Sequence, residues 1–140
     1  VRCTIYSPVI EHQAIGSVRD VLHGWLLHWE GELERWSSAS FKSAQGTLTF
    51  NSLVFTGPMD QFGKIILGSY SFFGRRADLP EPVREELQDF VAQTKWLVGV
   101  VGTSEILSEE VFQKAALELA RRLNGRVFNG MDLISPEPRL

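Results

Sequence analysis

The sequence predicts an α+β domain, and three observations carry that prediction. Residues 96–128, WLVGVVGTSEILSEEVFQKAALELARRLNGRVF, read as a buried strand, a capped amphipathic helix and a second strand. Two further segments repeat apolar residues at steps of three and four, the spacing of one helix face. Between them lie short aliphatic and aromatic runs bounded by Gly, Pro, Asn and Ser, the signature of strands and their turns.

Composition narrows the class. A chain of 140 residues is the size of one domain, so 1–140 is read as a single unit with a frayed tail over 135–140, where Pro136 and Pro138 fall. Hydrophobic residues make up 44% and charged residues 22%, the balance of a globular protein, and no apolar run approaches the ~20 residues of a membrane helix. Net charge is −3 with acids and bases interspersed, which removes the basic field that nucleic-acid binding uses; neither nucleic acid nor membrane is expected as a partner. Cys3, the single cysteine, has no internal partner, and no secretory leader is recognisable; a reducing cytoplasmic setting is the expectation.

Taken in order, Arg2 to Tyr6 reads as a short strand ending at Ser7-Pro8. Ile15, Val18, Leu22, Trp25, Trp29, Leu33 and Trp36 then fall within an arc of roughly 80° at 100° per residue and predict a long helix, with Gly31 its weakest point. Residues 37–46 read as a serine-rich loop. TLTFNSLVFTG follows as a strand that changes face near Asn51-Ser52, by a bulge or a tight turn. KIILGSYSFF, 64–73, reads as another strand, apolar on both faces. Pro82 opens a helix over Val83, Leu87, Phe90, Val91 and Thr94, with acids early and Lys95 late. After the strand Leu97 to Val101, Ser108 caps a helix that Asn124-Gly125 stops, and Asn129-Gly130 turns a hairpin between Phe128 and Leu133.

The resulting order, β, α, β, β, α, β, α, β, predicts a two-layer ferredoxin-like βαββαβ sandwich extended by a C-terminal αβ unit. Right-handed crossovers then give a five-stranded sheet in the order 2-3-1-4-5, counting predicted strands along the chain, with all three helices on one face. Val98, Val100, Ile66, Tyr70 and Phe72 would lie on the helix-free face and need cover, from a second copy or another protein. The alternative is a doubly covered α/β sheet.

Candidate chemistry is sparse. His12, His23 and His28 do not make a metal set: on one helix His12 and His23 would stand about 16 Å apart, and His23 and His28 would point about 140° apart. Thr103 and Ser104, between a buried strand and a helix, occupy the place where α/β folds bind anions through backbone N–H groups, although no full phosphate-loop pattern accompanies them. Arg75 and Arg76 are suited to a carboxylate or phosphate. Trp25, Trp29 and Trp36 either line a pocket or fill the core. No catalytic cluster, nucleophile elbow or cofactor motif is present, and no cofactor is expected.

Two functions follow as expectations. The first is a non-catalytic protein-interaction module, an adaptor, regulator or inhibitor, that buries the helix-free face in a homodimer or against a protein partner. The alternative is a small-ligand or anion-binding protein or enzyme, with a pocket between the sheet and the Trp-bearing helix and His23, His28, Thr103, Ser104, Arg75 and Arg76 at its mouth.

Overall fold

A computed structural model describes residues 2–57, 60–102 and 108–136. Seven strands form one sheet: β1 (Arg2–Ser7), β2 (Leu26–Glu30), β3 (Ser38–Ser43), β4 (Gly46–Val54), β5 (Trp96–Gly102), β6 (Arg126–Phe128) and β7 (Leu133–Ile134). Their spatial order is β2-β3-β4-β5-β1-β6-β7, and every neighbouring pair is antiparallel. A 3-10 helix (His12–Asp20) and three α-helices, α1 (Gln61–Gly74), α2 (Glu81–Ala92) and α3 (Glu109–Leu123), complete the described elements. The α+β class holds. The predicted five-strand order and ferredoxin-like connection do not, because two segments adopt the other kind of secondary structure.

The first is the long Trp-bearing helix. Only its beginning coils, as the 3-10 helix that buries Ala14, Ile15 and Val18; Gly24 (φ 79°) and Gly31 (φ 92°) then bracket β2 in backbone conformations that glycine adopts freely. Within β2, Leu27 and Trp29 are half-buried while Leu26, His28 and Glu30 are exposed, a period of two that the coincident three-and-four spacing masks. The second is 64–73, expected as a strand and found inside α1. Phe62, Ile65, Ile66, Ser69 and Phe73 recur at helical steps, and Asp60 caps the helix by accepting the Gly63 N–H at 2.7 Å. The expected serine loop is also a strand: β3 turns Ala39 and Phe41 into the core and Ser38, Ser40 and Lys42 away from it.

Helices lie on both faces of the sheet. On the first face, the 3-10 helix and α3 pack over Ile5, Ala39, Phe41, Leu48, Phe50, Trp96, Val98, Val100 and Val127. On the second, α1 and α2 pack over Tyr6, Leu53, Leu97, Phe128 and Leu133. Val98 and Val100 are thus fully buried inside the chain, and Ile66 and Phe72 are helical residues half-buried against the second face. The uncovered apolar face expected of them does not exist. Tyr70, on α1, is 43% exposed.

Double cover also explains the change of face in β4 without a bulge. Leu48 to Val54 pairs with Gly102 to Trp96 in unbroken register. Leu48 and Phe50 serve the first face and Leu53 the second, because α1 and α2 reach only that end of the sheet.

The C-terminal half follows its sequence signals. Ser108 accepts from the Val111 N–H, Glu109 and Glu110 sit in the first turn of α3, and Arg121 and Arg122 sit in the last. Asn124 adopts φ 55° and closes the helix, with the Gly125 N–H donating to the Ala120 carbonyl at 2.8 Å. Asn129 turns the last hairpin by accepting the Met131 and Asp132 N–H groups, both at 2.9 Å.

Candidate functional site

Cross-strand register arranges the second face into rows. One runs Glu30, Ser38, Asn51, Gly99, Thr4; the next runs His28, Ser40, Thr49, Val101, Arg2; a third runs Leu26, Lys42, Thr47. Arg2, Lys42, Asn51, His28 and Glu30 are exposed, and Leu26 is 76% exposed. Side-chain hydroxyls pair within this surface, Ser40 Oγ standing 3.1 Å from Thr49 Oγ1. The area beyond α1 and α2 is a hydroxyl-rich sheet surface bordered by β2.

As the end strand, β2 has a partner on one side only among the described residues. The Ser37 N–H donates to the Glu30 carbonyl at 3.0 Å, so Glu30 directs its backbone groups toward β3. Backbone groups alternate sides along an antiparallel strand, so His28 and Leu26 also face β3 while Leu27 and Trp29 present N–H and C=O outward. That edge carries neither Pro nor Lys, the usual guards against strand addition. The opposite edge is blunter: β7 has two residues, and Pro136 follows shortly after.

A second polar cluster lies where the first face meets an open cleft of about 800 Å³. The His12 ring stands 4.6 Å from the Trp96 ring and 5.1 Å from the Trp36 ring, centroid to centroid. Ser52 Oγ accepts the Trp96 indole N–H at 2.9 Å and lies 3.0 Å from His12 Nε2; the Trp36 indole N–H donates to the His12 carbonyl at 2.7 Å. Burial lowers the His12 pKa and so favours the neutral imidazole, whose Nε2 shares a hydrogen bond with the Ser52 hydroxyl. A serine beside a histidine is the beginning of a nucleophilic pair, but here the same oxygen accepts the indole N–H of the fully buried Trp96. Its bonds satisfy buried groups. Sequence reading missed this cluster because 40 residues separate His12 from Ser52.

Of the described residues proposed for a ligand site, Arg75 and Arg76 share a shallow cleft, while His23 and His28 lie on other elements. His23 lies in the exposed turn after the 3-10 helix, and His28 stands exposed on β2. Arg75 follows α1 and donates to Ser71 Oγ at 2.6 Å. Arg76 is spent on structure: it donates twice to Asp78, at 2.8 and 2.7 Å, and to the Met131 carbonyl at 2.6 Å, tying the α1–α2 connection to the last hairpin. Thr103 and Ser104 lie outside the described residues. The expected pocket under a Trp-bearing helix is not formed, since Trp29 lies on a strand and Trp36 is core. Cys3 is half-buried against the core, and burial pushes its pKa up to about 12, so the thiol stays protonated. Among the described residues no group of three or more His, Cys, Asp or Glu could hold a metal ion, and no helix is long and apolar enough to cross a membrane.

No family model matches the chain, and searches of curated proteins and of solved structures found no match.

Proposed function

We propose that the chain is a non-catalytic protein-interaction module, working as an adaptor, regulator or inhibitor in a reducing cytoplasmic setting, and that it engages its partner by strand addition at β2. One observation carries the reading: Leu27 and Trp29 offer two outward N–H and two outward C=O groups on an edge that carries neither Pro nor Lys. Main-chain bonds of this kind supply affinity in strand addition, and alternate side chains supply selectivity. Here Leu26, His28 and Glu30 would read the partner on the second face, with the hydroxyl rows of β3 and β4 beside them. The surface differs from the apolar face expected from the sequence, which the chain covers with its own helices.

Amide hydrogen exchange in dilute solution tests the premise. Leu27 and Trp29 N–H should exchange far faster than His28 N–H; equal protection of all three would mean that the edge is already closed. A photo-cross-linking residue at position 26 should then label an extended segment of one defined protein, and one at Val83, exposed on α2, should not. Identical labelling from both positions would defeat the reading.

A further inference from the structure

We infer that the strand received by β2 is the β2 of a second copy, paired antiparallel about His28, so that two seven-stranded sheets join into one of fourteen strands. The inference rests on the open edge proposed above and names its occupant. Three features of β2 support it.

The first is backbone phase. A two-fold axis perpendicular to the sheet keeps the faces aligned and pairs residue i with residue j of the other copy at a constant even sum. An axis through Leu27 or Trp29 pairs one outward residue with itself and closes two hydrogen bonds. An axis through His28 pairs Leu27 with the other Trp29, and Trp29 with the other Leu27; both pairs are outward-facing, so four hydrogen bonds close. This register also uses all five residues of Leu26–Glu30 and stops short of Gly31, whose φ of 92° ends the strand.

The second is charge. In that register Glu30 lies opposite Leu26 of the other copy and diagonal to its His28, within reach of a long side chain. Each imidazole therefore gains a carboxylate from across the interface, twice by symmetry. The third is apolar continuity. Leu27 and Trp29 are packed against the first-face core, so pairing each with the other's neighbour extends that layer across the junction, while Leu26, 76% exposed in one chain, gains a strand beside it.

Sedimentation of the full chain across micromolar to millimolar concentration, with amide exchange on the same samples, tests this. The wild type should dimerise reversibly, and protection of the Leu27 and Trp29 amides should rise with concentration. His28→Glu places four carboxylates along the junction on residues exposed in the single chain; it should weaken dimerisation at least about tenfold, with the circular dichroism unchanged. Adding Glu30→Lys restores opposite charge on both diagonals and should recover most of the loss, which mere damage to β2 would not. A strict monomer whose Leu27 and Trp29 amides exchange freely overturns the second copy but leaves the edge open to another protein. A monomer with those amides protected overturns the open edge itself. A dimer indifferent to His28→Glu, or one that Glu30→Lys fails to rescue, overturns the register.

Discussion

Ser52→Ala tests whether the polar cluster on the first face is structural. The substitution removes the oxygen that accepts the Trp96 indole N–H at 2.9 Å and meets His12 Nε2 at 3.0 Å. The two losses differ. Trp96 is 0% exposed, so its N–H has no water to turn to, and a buried donor without a partner costs about 1–3 kcal/mol. His12 is half-buried and lines the open cleft, so water can replace the lost bond at small cost. The sum is a loss of about 1–3 kcal/mol, or roughly 3–10 °C in Tm for a chain of this length. Urea melts followed by tryptophan fluorescence read the free energy, and the Trp96 indole proton, resolved by NMR, should exchange faster in the variant. A variant within about 0.5 kcal/mol of wild type, the range for substitutions that touch no such feature, with its indole proton still protected, would refute the reasoning.

Gly125→Ala should destabilise by about 1–3 kcal/mol, because its Cβ would stand 2.6 Å from the Tyr6 carbonyl oxygen and backbone must move to make room. Gly68→Ala, on the exposed side of α1 with nothing within 4 Å, should instead stabilise by about 0.5–1 kcal/mol; chemical melts of the two read opposite signs. Arg76→Lys cannot reproduce the forked bond to Asp78 together with the bond to the Met131 carbonyl, so the amides of 129–132 should exchange faster while those of α3 do not change. Acid should act in two windows. Burial sets the His12 pKa below its ordinary 6.5, so the folded chain binds fewer protons than the unfolded one and stability declines as pH falls from about 6.5; His12→Gln should flatten that decline. The Arg126 guanidinium holds the Glu86 carboxyl below its ordinary 4.5, and the Arg76 guanidinium brings Asp78 from 3.8 to about 2. Both contributions are complete above those ordinary values and are lost as pH falls below them, which Tm against pH would show as a second decline.

Sequence signals located the elements best where capping chemistry and periodicity agree. Ser108, Asn124 and Gly125 delimit α3 as read, and Asn129-Gly130 turns the hairpin as read. Prediction failed where two periods coincide. Trp25, Trp29 and Trp36 keep helical phase with Leu22, yet Leu27 and Trp29 also keep strand phase, and the sharp turns at Gly24 and Gly31 decide between them. In 64–73 the aromatic and β-branched residues imitate a buried strand; the discriminating signal was Asp60, an N-cap three residues before Gly63. That misreading propagated. Reading α1 as a strand leaves no helix for the second face and so predicts an uncovered apolar face, where α1 and α2 in fact provide the cover. The candidate site was barely legible. An edge is a property of strand order, and the His12–Ser52 contact spans 40 residues, so neither leaves a local mark.

The edge deserves more weight as an interaction surface than the exposed sheet face beside it. Ser40 and Thr49 bond to each other, and Glu30, Lys42 and Asn51 stand exposed on the same face, so covering it releases little apolar area. The edge of β2 instead offers geometrically fixed backbone groups next to an exposed Leu26. The two ends of the sheet also differ in a way that limits growth. At the far end, β7 is two residues long, Pro136 lacks an N–H, and Arg76 holds the hairpin from the α1–α2 connection. An isologous β2 pair consumes the open edge of both copies and leaves a blunt β7 at each end, so association should stop at two. Sedimentation at the highest attainable concentration checks this closure: a dimer plateau is expected, and a continuing series of larger species would mean that β7 also accepts a strand.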